Sequence, residues 1–247
     1  MKNNFYFKKP FSNIYKLPNK RSEVTSQIMN GEKFKILSKR KDWIKIKSLY
    51  DRYSGFIKNK NYVNKLKISH KVSNIQAYIF KNPNIKTKKT LYFGSKLSII
   101  EKRNGFVRFE KNQWVRLTDL KRIAHKEKDF IKIFKLFLKT KYVWGGKTNK
   151  GIDCSALLQI FFYYNNLFYP RDTKDQINYS IKKISKKFKK GDVIFWKGHV
   201  AICINSEQLI HAYGPEKRVI IMPINKTIKR ILDTANLKVK KISKIKF

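Results

Sequence analysis

The sequence predicts an α+β chain: helices packed on an antiparallel sheet in the C-terminal half, preceded by two small β-barrels. Three observations predict it. The first half repeats itself, the patterning changes from strand-like to helix-like near residue 124, and four short apolar segments joined by short turns follow residue 190.

The repeat has an offset of 63 residues: Tyr15 aligns with Tyr78, Gly31 with Gly94, Phe34–Leu37 with Leu97–Ile100, and Trp43–Ile46 with Phe106–Phe109. Each copy then ends in an aromatic-aliphatic step, Gly55-Phe-Ile57 in one and Gln113-Trp-Val115 in the other. Within each, four or five short alternating segments are broken by Pro18, Asn30-Gly31, Pro83, Gly94 and Asn104-Gly105, the pattern of a small antiparallel barrel. The order of strands and turn residues resembles bacterial SH3-like domains. The expected division is a first barrel over 1–66, a second over 67–123 and a third domain over 124–247.

In that third domain, apolar residues at 130, 131, 133, 134, 136, 137 and 138 follow Asp129, an N-cap residue type, and predict a helix over 129–138 buried around much of its circumference. A second helix is expected over Ser155–Tyr164, ended by Asn165-Asn166 and then Pro170. Asp192–Trp196, His199–Ile204, Gln208–Tyr213 and Arg218–Met222 read as four strands of an antiparallel sheet.

Cys154 stands immediately before the second helix, and His199 and His211 follow on two of the strands. A thiol becomes a useful nucleophile when an imidazole takes its proton and a third polar group orients that imidazole. At a helix start, the sulfur is expected near unpaired amides and the positive end of the helix dipole, which favour the thiolate. His199, just after the Lys197-Gly198 turn, is the candidate general base. His211 lies 12 residues on, a separation that brings both rings to one face of adjacent antiparallel strands, and is the candidate orienting group. The blander alternatives are a small buried cysteine opening a core helix and two structural histidines. Cys203, inside an alternating apolar run, reads as a buried strand residue; a 154–203 disulfide would disable the nucleophile.

Together, Tyr142-Val-Trp-Gly-Gly146, Asp153-Cys-Ser155, Pro170-Arg171 with Gln176, Gly191-Asp192, His199-Val200 and Ile210-His-Ala212 resemble the NlpC/P60 cysteine peptidases over residues 124–225. The resemblance implies a papain-like fold and hydrolysis of bacterial cell-wall (murein) peptides, commonly at the D-γ-glutamyl–diamino acid bond. It implies Cys154 as nucleophile, His199 as base and His211 as the third member. Tyr142 would help the Cys154 amide hold the oxyanion. Asp153 and Ser155 would bind the free amino end of the substrate, with helix capping as an alternative role for Asp153. Ala156 departs from the family's usual Gly and places a methyl near the site. Trp144 is expected to pack, and Arg171 and Gln176 to be structural. SH3-like domains often precede such a domain and would bind wall material or close one end of the cleft. Two other functions stay open at this point: a non-catalytic binder of wall or anionic polymer, and an amidase or acyltransferase of the wider papain-like group.

Composition bounds the partners. The formal net charge is +42, but only ten of the 58 basic residues are Arg and the Lys residues run through every segment. This pattern implies weak, non-specific attraction to anionic polymers or membrane surfaces, not a nucleic-acid footprint. No metal or other cofactor is expected, since the two cysteines form no CxxC pair. No run of about 18 apolar residues predicts a transmembrane segment. The N-terminal residues lack the apolar stretch of a secretory signal, so the expected location is cytoplasmic, with a periplasmic or wall-associated one as the alternative.

Overall fold

The computed structural model describes residues 4–58, 62–183 and 187–244. The chain forms two compact units that divide between Lys126 and Glu127.

Among its described residues, the first unit's regular elements are all β apart from one 3-10 turn. Strands β1 (Asn4–Phe7), β2 (Phe11–Tyr15), β3 (Val24–Met29), β4 (Lys33–Arg40), β5 (Trp43–Ser48), β6 (Ser54–Lys58) and β7 (Tyr62–Val63) form one sheet in the order β3-β2-β6-β5-β4-β1-β7. The second copy supplies β8 (His70–Val72), β9 (Gln76–Asn82), β10 (Ile85–Tyr92), β11 (Lys96–Leu97), β12 (Glu101–Arg103), β13 (Phe106–Glu110), β14 (Gln113–Arg116) and β15 (Leu120–Arg122). Its larger sheet runs β10-β9-β14-β13-β12, which repeats the β3-β2-β6-β5-β4 order strand for strand. Alternation explains both cores, because residues two apart share a face. Ile44, Ile46 and Ile57 are buried in one copy, and Val107, Phe109 and Val115 in the other.

The second unit is α+β. Helix α1 (Phe130–Leu136) is capped by Asp129, whose Oδ1 accepts Ile131 N–H at 3.1 Å. It is shorter than the expected 129–138 and buries one side only, through Phe130, Ile133 and Phe134; Leu136 and Leu138 remain exposed, and Lys139 takes a left-handed backbone (φ 65°). A two-strand ribbon, β16 (Lys147–Thr148) and β17 (Gly151–Ile152), leads into α2 (Cys154–Tyr164). Every residue of α2 is buried, as suits a helix that is apolar on all sides. After α3 (Thr173–Tyr179) come β18 (Asp192–Trp196), β19 (His199–Cys203), β20 (Gln208–Tyr213), β21 (Arg218–Pro223), α4 (Ile224–Ala235) and β22 (Lys241–Lys244). The antiparallel sheet runs β21-β20-β19-β18-β22, so β22 adds a fifth strand to the four expected from sequence. Ile224 and Ile231 of α4 join Leu209, Tyr213, Trp196 and Ala201 in one apolar cluster. No helix among the described residues is long and apolar enough to cross a membrane.

Candidate active site

The head of α2 is fixed by buried ionic bonding. Asp153 is the N-cap, its Oδ1 accepting Ala156 N–H at 2.8 Å and the Ser155 hydroxyl at 3.1 Å. Arg171 grips the same carboxylate with both arms, Nη1 to Oδ1 at 3.0 Å and Nη2 to Oδ2 at 2.6 Å. Gly145 N–H donates to Oδ2 at 2.9 Å, and Arg171 Nη1 also donates to Ser155 Oγ at 2.8 Å. Gln176 Nε2 then ties Ser155 O to Pro170 O at 2.9 Å each. The Gly145-Gly146 loop needs its small residues, because a Cβ on Gly146 would stand 2.3 Å from the Gly151 carbonyl oxygen.

Cys154, first residue of α2, is 3 % exposed and carries a free thiol. Its sulfur donates to the Gly198 carbonyl at 3.9 Å and receives a hydrogen bond from the Val200 backbone. A strand's i−1 carbonyl and i+1 amide point to one side, so the sulfur docks on the edge of β19 at His199. The recorded pairing of β19 with β20 covers only Ile202 and Cys203, which leaves that edge open for it. Gly198 makes the preceding turn with φ 74°, a conformation that favours glycine.

The His199 ring lies 5.6 Å from the Tyr213 ring and 5.2 Å from the His211 ring, centroid to centroid. His199 Nε2 lies 3.0 Å from His211 Nδ1. His211 is fully buried, stacked on Tyr213 at 4.6 Å between centroids, with Nε2 3.3 Å from Met222 Sδ. The structure therefore places His199 and His211 in contact, and sets the Cys154 sulfur against the backbone on either side of His199.

Residues 139–233 match the NlpC/P60 family. The C-terminal unit carries an NlpC/P60 domain. Residues 11–63 match the bacterial SH3 domain. The dipeptidyl-peptidase 6 of Lysinibacillus sphaericus is 24 % identical, across 81 % of this chain and 84 % of its own. The gamma-D-glutamyl-L-lysine dipeptidyl-peptidase of Bacillus subtilis (strain 168) is 26 % identical, across 83 % and 77 %. An NlpC/P60 family protein from Bacillus cereus ATCC 10987 superposes with a TM-score of 0.76 at 20 % identity, covering 90 % of this chain and 94 % of that one, which shows the shared fold.

The resting charge state of the NlpC/P60 site differs from the expectation based on the helix dipole. Burial, reinforced by the Asp153 carboxylate, pushes the Cys154 thiol up to about 12; the Val200 amide, the Thr173 side chain and Arg171 pull the other way and are outweighed. Burial likewise lowers His199 to about 4 and His211 well below its usual value, the latter also through His199 and Arg230. Both shifts favour the uncharged forms, thiol and imidazole. Tyr142 keeps its phenolic proton, since burial and the nearby Cys154 and Asp153 raise its pKa.

These contacts and exposures bear on two sequence expectations. Asp153 is the helix cap, but both its oxygens are taken up by Arg171, Ser155, Gly145 and Ala156, so a substrate ammonium would have to displace a buried guanidinium. Trp144, expected to pack, is 59 % exposed. Arg171 and Gln176 have the structural contacts expected of them. Cys203 is a free, fully buried strand residue. The sequence reading missed Thr173, Tyr213 and Met222. For the last two a signal existed, since both fall on the His211 face of adjacent strands.

Proposed function

We propose that this chain is a cysteine peptidase that hydrolyses murein-derived peptides at the D-γ-glutamyl–diamino acid bond, with Cys154 as nucleophile, His199 as general base and His211 as orienting group. The observation that supports it best is the docking of the Cys154 thiol on the β19 edge at His199, while His199 Nε2 is engaged by His211. That leaves His199 Nδ1 to exchange the proton. In the reaction the thiol proton passes to Nδ1 as sulfur attacks the isopeptide carbonyl, and the imidazolium then protonates the leaving amine. Water, activated by the same nitrogen, releases the acyl group and restores the thiol. A buried neutral pair favours this concerted transfer over a standing ion pair, because neither charge is solvated at rest. The Cys154 backbone N–H, in the first helical turn where amides lack intrahelical partners, and the Tyr142 hydroxyl are the proposed oxyanion donors.

The names of the two relatives support this substrate class: one is a dipeptidyl-peptidase 6 and the other a gamma-D-glutamyl-L-lysine dipeptidyl-peptidase. We propose a short peptide with a free amino terminus, without assigning Asp153 as its anchor. A cytoplasmic location belongs to the same proposal, since peptides already released from the wall would meet the enzyme there; recovery outside the cytoplasmic membrane on fractionation overturns it. The enzymatic test is incubation of purified protein with L-Ala-γ-D-Glu-L-Lys and its diaminopimelate counterpart, alongside Cys154→Ala. Release of the dipeptide by wild type and at least a ~10³-fold loss in the variant are expected. Turnover of other amides or esters alone points to an amidase or acyltransferase, and tight wall-polymer binding without cleavage to a binding protein.

A further inference from the structure

The histidine pair makes one further side-chain contact, to the Met222 sulfur. His211 Nε2 faces the Met222 sulfur at 3.3 Å, while its Nδ1 faces His199 Nε2 at 3.0 Å. A thioether can accept a hydrogen bond and cannot donate one. His211 is neutral in its buried setting, under Arg230 of α4 and against the Tyr213 ring, so it carries a single N–H. If the Met222 contact is a hydrogen bond, that proton is on Nε2. Nδ1 of His211 then has a lone pair and must accept from His199 Nε2–H, and Nδ1 of His199 is left as the bare, basic nitrogen.

We propose that Met222 is a positioning residue of the Cys154-His199-His211 site: its sulfur accepts from His211 Nε2–H and thereby holds His199 as the Nε2–H tautomer. This rests on the catalytic reading above. The opposite tautomer chain would place a proton on His199 Nδ1, where it could not receive one from the thiol. Strand register holds the sulfur in place, because Leu209 pairs with Met222 and His211 with Ile220, making Met222 the diagonal neighbour of His211 on the same face. Met222 also packs in the apolar cluster that contains Tyr213 and Ile228 of α4, so water is a poor substitute for the sulfur there. The charges facing His211 are Arg230, which is ion-paired with Glu216 at 2.8 Å, and, when protonated, His199.

The test is ¹⁵N-detected titration of the histidine rings in wild type, in Met222→Leu, which keeps volume and removes the acceptor, and in Met222→Gln, which restores an acceptor oxygen. Wild type should show protonated Nε2 and bare Nδ1 on both His199 and His211. Met222→Leu should populate Nδ1–H on His211, with kcat about 10–100-fold lower and KM unchanged, and Met222→Gln should recover most of the loss. A wild-type His211 protonated at Nδ1 overturns the proposal, whether or not the variants fold. So does a folded Met222→Leu with unchanged tautomers and unchanged kcat. The ring spectra need no substrate: the expected tautomers in a protein that cleaves no murein peptide would uphold the Met222 assignment and sink the peptidase reading, and the reverse pattern would do the opposite.

Discussion

The two units bury polar side chains for different ends. In the β-rich unit, buried polar groups mostly hold backbone turns. Glu32 Oε1 accepts Met29 N–H at 3.0 Å, Ser95 Oγ accepts Tyr92 N–H at 3.2 Å, and Asn30 Nδ2 donates to Lys96 O at 2.8 Å. In the NlpC/P60 unit they hold one another: Asp153 with Arg171 and Ser155, His199 with His211, and Lys183 with Asp192. A turn held by a side chain loses about one hydrogen bond when that side chain is removed, whereas a buried charge stripped of its partner loses its compensation entirely. Mutational sensitivity should therefore be steep in one unit and shallow in the other.

The largest break in that contrast is expected from Arg171→Met, which leaves the Asp153 carboxylate buried without its bidentate partner. Denaturant unfolding of the C-terminal transition should lose about 3–5 kcal/mol. A loss below about 1 kcal/mol would mean that the Gly145 and Ala156 amides suffice to hold the charge.

Acid should act next. His199 and His211 have folded pKa values below the unfolded reference, so the unfolded chain binds more protons between about pH 6.5 and pH 4. Stability contributed by the neutral rings is present above that window and is lost as pH falls through it. A His199→Gln/His211→Gln double variant should show a flatter melting temperature across this range. An unchanged slope would assign the acid response to other groups, with His70 of the first unit, also lowered by burial, the leading one.

Gly146→Ala comes third. Its methyl would meet the Gly151 carbonyl, and relief of that overlap should cost about 1–3 kcal/mol and shift the loop that donates to Asp153. The smallest effect belongs to the β-rich unit: Ser95→Ala should cost about 1 kcal/mol and leave peptide hydrolysis at the wild-type rate. A comparable loss from Ser95→Ala and Arg171→Met would erase the distinction between the units.

Much of this was legible in the sequence, for identifiable reasons. The repeat carried the first unit, because its two copies fold into sheets with the same strand order. The four strands from 192 to 223 showed because each is a short apolar run of five or six residues bounded by turn residues. Helix α4 was missed, although Ile224, Ile228, Ile231 and Leu232 recur at helical spacing, because Pro223 offers no side-chain cap to mark its start. Edge strand β22 was missed because Lys241–Lys244 is only four residues long and holds a single apolar residue, Ile242. Within the site, the order Cys, His, His was readable, but the Asp153–Arg171 pair was not. It joins residues 18 apart that no periodicity connects. The thiol's raised pKa was equally hidden, because dipole arguments count only the helix end and burial comes from the whole surrounding unit.

The central claim is covalent chemistry at Cys154, and the most direct test is to catch it. Rapid acid quench of the purified protein with a γ-D-glutamyl-L-lysine peptide during turnover, followed by peptide mass mapping, should find the acyl group as a thioester on the Cys154 peptide. It should be absent from Cys154→Ala and should accumulate when deacylation is slowed. Steady turnover with no adduct under those conditions, or an adduct on Cys203 instead, would contradict it.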